Sequence, residues 1–177
     1  MVLQRLHSPV GATHPIPAIT SQGYAMTDID TLINLLKTMW EEKLPFNRVL
    51  GFKVISITED RVRVKLDMKE NLVGNYVYGT LHGGVISAVL DAAGGMNSAA
   101  GVLYKMAGTP TGEAEKVLTK MGTIDLRVDY LRPGRGRYFL ADSAIMRAGN
   151  KVAVTRMELH SDLGTLIAVG TGTYLVG

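Results

Sequence analysis

A chain of 177 residues with 46% apolar content and a net charge of +3 has the size and composition of one globular domain. The lack of cysteine excludes disulfides, a thiolate nucleophile and Cys-based metal sites, and suits a reducing cytoplasm. Aromatic content of 6% is poor for stacking nucleic-acid bases, so the mild basic excess is better suited to a small polyanionic ligand.

Residues 1–25 hold Pro9, Pro15, Pro17, Gly11 and Gly23 without periodicity, which predicts a loose, flexible N-terminal arm. They carry one Arg and no continuous apolar run, so no secretory signal is expected. Met26 stands as an alternative start, and 26–177 reads as a single domain. Thr27 or Asp28 caps a predicted helix reaching Lys43, with Leu32, Leu35, Leu36, Met39 and Trp40 as its apolar stripe. Leu44-Pro45-Phe46-Asn47 ends it. Phe52–Thr58 and Arg61–Met68 read as paired strands, since Val62, Val64 and Leu66 alternate with charged neighbours. Residues 71–78 read as a loop.

The segment from Gly83 to about Tyr104 is predicted to be a helix too apolar for a surface, yet short of the large apolar residues that span a bilayer. Asp91 is the one formal charge between Glu70 and Lys105. Helical phase puts Val85, Val89, Ala92, Ala93 and Met96 on a packing face, and Gly84, Ser87, Ala88, Asp91, Gly94, Gly95 and Ser98 on a smooth groove. Glycines weaken a helix, so several on one face imply close approach by a ligand or another chain. A buried lone carboxylate is costly without partners or a task, and desolvation raising its pKa suits a general base. Gly83 and Gly84 open the helix, where backbone N–H groups point outward and can hold an oxyanion. The alternative for this stretch is structural: Asp91 paired with an arginine and His82 as a simple cap.

A possible short helix at Glu113–Thr119 precedes four strands. The first, Gly122–Leu131, places Ile124, Leu126, Val128 and Tyr130 on one face and Asp125, Arg127 and Asp129 on the other. Arg137–Arg147, Lys151–His160 and Thr165–Val176 follow, with Gly149-Asn150 as a hairpin turn. The whole reads as an α+β chain, an antiparallel sheet on one apolar helix.

Three ordered motifs set this pattern apart. They are Leu81-His82-Gly83-Gly84-Val85-Ile86 with Asp91 following, Met121-Gly122-Thr123 running on to Arg135-Gly136, and Arg147-Ala148-Gly149-Asn150-Lys151. Over 44–177 they resemble the hotdog-fold thioesterases, the PaaI-like branch above all. The resemblance implies an antiparallel sheet wrapped around a long central helix, with the predicted N-terminal helix as an addition. It implies a homodimer, expected to pair further into a homotetramer, with active sites at the subunit interface. It implies acyl-CoA hydrolysis, with medium or long chains favoured. Asp91 is the implied general base or nucleophile, the Gly84 or Gly83 amide the oxyanion donor, and His82 the residue beside the thioester. Thr123 faces the carboxylate, and Asn75 takes the place of an asparagine that relatives carry one residue nearer the histidine. Neither metal nor cofactor is implied, coenzyme A being part of the substrate, and neither nucleic acid nor membrane is expected as a partner.

Other chemistries are less well supported. His7, His14, His82 and His160 lack metal-site spacing, and there is no G-x-S-x-G elbow. Ser87 has no base in its motif and reads as a helix-face hydroxyl. Arg132, Arg147, Asn150 and Lys151 as a cluster suit the phosphates of coenzyme A, whereas singly they read as solubilising charges at hairpin tips. A non-catalytic acyl-CoA-binding protein and a hotdog hydratase or dehydratase are the competing functions.

Overall fold

The computed structural model describes residues 27–177; the arm expected at 1–25 lies outside them. Asp28 is the first cap: its carboxylate accepts the Thr31 N–H at 2.7 Å, which holds the carboxyl below its ordinary range. Helix α1 (Ile29–Thr38) follows. Leu32 and Leu36 are fully buried on its inner face. Instead of running straight to Lys43, the helix widens into a π-turn at Met39–Lys43, where Leu44 N–H reaches the Met39 carbonyl at 3.1 Å. Pro45 then starts a short α2 (Pro45–Leu50), ended by Gly51 in the left-handed region at φ 69.

Six antiparallel strands form one sheet: β1 (Lys53–Ile57), β2 (Arg61–Asp67), β5 (Gly122–Tyr130), β6 (Tyr138–Ala148), β7 (Val152–Ser161) and β8 (Leu166–Leu175), ordered β1-β2-β6-β7-β8-β5. Between β2 and β5 the chain makes a small hairpin, β3 (Val73–Asn75) with β4 (Thr80–Leu81), then α3 (Gly83–Lys105) and α4 (Thr111–Leu118). Of the segment expected as a loop or irregular stretch at 71–78, only Val73–Asn75 is strand, and residues 76–79 are the turn of the hairpin. Its strands are of three and two residues, too short for an alternating pattern to register.

The sheet packs against α3, whose Val89, Leu90, Ala93, Met96, Ala99, Ala100 and Leu103 are fully buried. Burying one such leucine or methionine contributes about 1.5–3 kcal/mol, and the run explains why so apolar a helix is stable here. α3 has the length and hydropathy of a membrane span, but 61% of the relevant window is buried inside the fold. The phase expectation holds only in part. Val85 and Ala92 are half-buried, whereas Gly94 and Ser98, assigned to the groove, are buried. The reason for Gly94 lies in the sheet: a Cβ there would collide with the Tyr174 hydroxyl and come within 2.8 Å of Thr155 Oγ1. The close approach is by the protein's own β8.

β5 is an edge strand with its outer side unpaired among the described residues. A bulge interrupts its pairing with β8 between Thr123 and Asp125. It shifts the phase by one residue, so Thr123 faces α3 along with Leu126 and Val128. Ile124, expected to point inward, is 57% exposed instead.

Candidate active site

Asp91 sits in mid-α3, half-buried rather than buried. A cross-strand pair holds it. Thr123 on β5 lies opposite Tyr174 on β8; the Thr123 hydroxyl donates to Asp91 Oδ1 at 2.9 Å, and the Tyr174 hydroxyl donates to the Asp91 carbonyl at 3.2 Å. Burial pushes the Tyr174 phenol well above its ordinary range, and the nearby Asp91 charge adds to this, so Tyr174 stays a donor at any working pH. Asp91 and Thr123 open onto a cavity of about 450 Å³, lined chiefly by apolar groups that include Met39, Trp40, Phe46, Ala92, Leu118 and Met121. A carboxylate fixed at the edge of an apolar cavity can take a proton from water, or attack a carbonyl, beside an apolar group that fills the space.

The start of α3 is a separate site. His82 caps the helix, its Nδ1 accepting the Gly84 N–H at 2.9 Å. An imidazole that accepts at Nδ1 carries its proton on Nε2. Of the two glycine amides, that of Gly84 is thus engaged, and the Gly83 N–H has no partner among the described residues. Gly83 is fixed by β5. A Cβ on it would lie 3.5 Å from the Tyr130 ring, and the Tyr130 hydroxyl donates to the Gly83 carbonyl at 3.2 Å. Ser87 bonds the same tyrosine hydroxyl and the same carbonyl; it is a helix-face hydroxyl, as its sequence context implies. Gly83, Thr80, Tyr130, Leu131 and Arg132 line a second cavity of about 360 Å³ that does not include Asp91.

Asp91 lies eight positions beyond Gly83 in α3, about 12 Å along the axis at about 1.5 Å per residue. One reacting carbonyl cannot be held by both within a single chain. Asn75 joins neither group directly: its Oδ1 accepts the Val77 and Tyr78 N–H groups at 3.1 and 3.2 Å and shapes the hairpin turn. The four residues expected to bind phosphates do not form one cluster within the chain. Arg147, Asn150 and Lys151 lie at the sheet end where Val152 and Gly122 both pair with Leu175. Arg132 lies at the far end of β5, donating to the Leu166 carbonyl at 3.0 Å. Arg127 pairs with Asp129 at 3.1 Å. Two features escaped the sequence reading. Tyr174 carried no motif, though its place on the inward face of β8 was a signal; the π-turn carried none.

An antiparallel sheet around a central helix, with a carboxylate at an apolar cavity and a glycine amide at the helix start, can seat an apolar acyl group and act on its carbonyl. Comparison with known proteins makes this specific. Residues 78–168 match the family model of the thioesterase superfamily. The chain is 41% identical over 153 residues to the medium/long-chain acyl-CoA thioesterase YigI of Escherichia coli K12, covering 86% of this chain and 99% of that one. Among solved structures, a Shewanella oneidensis protein related to the thioesterase superfamily superposes with a TM-score of 0.81 at 41% identity, covering 85% of this chain and all of that one. The E. coli PaaI protein of the phenylacetic acid degradation operon shares the fold at a TM-score of 0.67 and 16% identity, covering 85% of this chain and 96% of that one. The chain belongs to the thioesterase superfamily and is a thioester hydrolase.

Proposed function

We propose that this protein hydrolyses medium- to long-chain acyl-CoA to the free acid and coenzyme A, as the E. coli relative's name describes for that enzyme. The observation that carries the reading is Asp91, fixed by Thr123 at the edge of a large apolar cavity. The acyl chain occupies the cavity and brings the thioester carbonyl to the carboxylate. Asp91 takes a proton from water as the oxygen attacks; the carbonyl oxygen becomes an oxyanion, and its collapse breaks the C–S bond and expels the coenzyme A thiolate. Direct attack by Asp91 gives a mixed anhydride that water then cleaves. Both routes use only groups of the chain and the substrate.

The oxyanion donor comes from a second copy. Asp91 is tied to Thr123 near the start of β5, and Gly83 to Tyr130 at its end. Antiparallel pairing of two β5 edges, centred near the middle of the strand, sets Thr123 of one subunit beside Tyr130 of the other. The free N–H of Gly83 of the partner subunit then faces Asp91. The same pairing carries the partner's Arg132 to the end that holds Arg147, Asn150 and Lys151, so the expected phosphate cluster forms only across the interface. The exposed Ile124 on this edge supports the pairing. A cytoplasmic location agrees with a substrate built on coenzyme A.

Thiol release from a panel of short, medium, long and aryl acyl-CoA esters tests the reading. Release that peaks at medium or long chains, and is lost in Asp91→Asn, is expected. Acyl-CoA binding without release would make the protein a binder, and water addition to crotonyl-CoA would make it a hydratase.

A further inference from the structure

The apolar cavity beside Asp91 has an open rim and a closed end. Leu44 and Phe46 on the rim are 37% and 61% exposed, whereas Trp40, Leu118 and Tyr174 are 9%, 5% and 2% exposed. Gly95 lies at the closed end, one helical turn beyond Asp91 on the same face of α3. A Cβ on Gly95 would stand 3.5 Å from the Tyr174 ring and 3.9 Å from Trp40 Cζ2. Both are ordinary contacts, so an alanine fits the backbone there and takes its volume from the cavity.

Trp40 is held in place at both of its polar ends. Its indole Nε1–H donates to the Ala92 carbonyl at 3.0 Å. Its own carbonyl accepts from the buried Asn47 Nδ2 at 3.1 Å. In an ordinary helix the Leu44 N–H would take that carbonyl; in the π-turn it reaches back to Met39 instead. The Trp40 carbonyl is thereby released to Asn47. A π-turn is rare and poorly favoured in isolation, and its effect here is to fix an indole across the inner end of the cavity.

We propose that Gly95 and Trp40 set the length of the acyl chain, Gly95 as the specificity-determining position and Trp40 as the end wall. The proposal rests on the reading of the cavity as the acyl site. The missing side chain at Gly95 gives the distal carbons room, and the indole stops them.

The test measures kcat/KM for saturated acyl-CoA esters from C4 to C18 with the wild type, Gly95→Ala, Gly95→Val and Trp40→Leu. A methylene that no longer fits is worth about tenfold or more in selectivity. The ratio of kcat/KM for the longest good substrate to that for the C4 ester is expected to fall about tenfold or more in Gly95→Ala. It falls further in Gly95→Val, and Trp40→Leu moves the preferred length upward. A ratio that stays at the wild-type value in both Gly95 variants, whatever their overall rate, overturns the proposal. Gly95→Ala decides the matter should the bulkier variants fail to fold. A wild type that releases thiol from no ester overturns the acyl-site reading itself, and that outcome is visible before any variant is made.

Discussion

On the proposed mechanism, the two ends of β5 hold the two halves of one reaction. At the Thr123 end stand the Asp91 carboxylate and the apolar cavity; at the Tyr130 end stand the Gly83 amide, the capping histidine and an open cleft. The first half is built from tertiary contacts, a cross-strand pair gripping a helix residue from both sides. The second is built from helix capping, which is local. The helix fixes them about 12 Å apart, and in the proposed dimer the edge strand that joins them meets a copy of itself so that base and oxyanion donor share a carbonyl. In that proposed dimer, a two-fold axis between unlike ends turns the four half-sites of two chains into two whole sites.

The largest effects come from emptying one end at a time. Asp91→Asn is expected to fold and to lose about 10²- to 10⁴-fold in kcat. Gly83→Pro removes the N–H at the first helical position, where proline is well tolerated, and is expected to cost about 10²- to 10³-fold. Mixing the two inactive variants under conditions that exchange subunits sharpens the comparison. Half of the dimers then carry one intact site of two, so about a quarter of wild-type activity returns if base and donor come from different chains. No recovery despite proven exchange would place both groups in one subunit and break the two-ended account.

How far the sequence disclosed this division depends on whether each half is local. The helix start was legible because capping and the free amides of a first turn follow from residue order. Asp91 was legible because it is the one charge in an apolar helix. The strands of the main sheet were legible from alternation and turn residues. The Thr123 end was less so. The bulge that turns Thr123 inward and Ile124 outward reverses the simple alternation of β5, and only pairing with β8 reveals it. Gly94 and Gly95 looked like one smooth face. In the fold, Gly94 makes room for Tyr174 whereas Gly95 borders the cavity, a difference set by β8 eighty residues away. The π-turn depends on Asn47 accepting a role that no local pattern announces.

A smaller effect should distinguish holding the base from being the base. Thr123→Val keeps size and β preference and deletes the hydroxyl bonded to Asp91 Oδ1. A hydrogen bond to a charged group is worth about 1.5–3 kcal/mol; Thr123 is exposed in the single chain, so the lower part of that range, about a tenfold loss in kcat, is expected. KM should change little, because the cavity wall is preserved. A loss as deep as that of Asp91→Asn would make Thr123 a participant in the proton transfer.

The smallest effect lies farthest from both ends of β5, at the cap of α1. Asp28 accepts the Thr31 N–H and hydroxyl, and these bonds hold its carboxyl below its ordinary range. A depressed carboxyl stabilises the fold above its unfolded-state pKa, and that contribution is lost as the pH falls through the folded value. Asp28→Ala should therefore lower Tm slightly at neutral pH, and the gap between variant and wild type should close as the pH drops below about 4. Catalysis at neutral pH should be nearly untouched, since α1 meets the site only through the turn that follows it. A Tm gap that stays constant with pH would assign the stabilisation to packing of the first turn rather than to the charged cap. A marked loss of turnover would show that the start of α1 is coupled to Trp40 and the cavity, and that the wall of the acyl site begins a full helix earlier than its lining residues suggest.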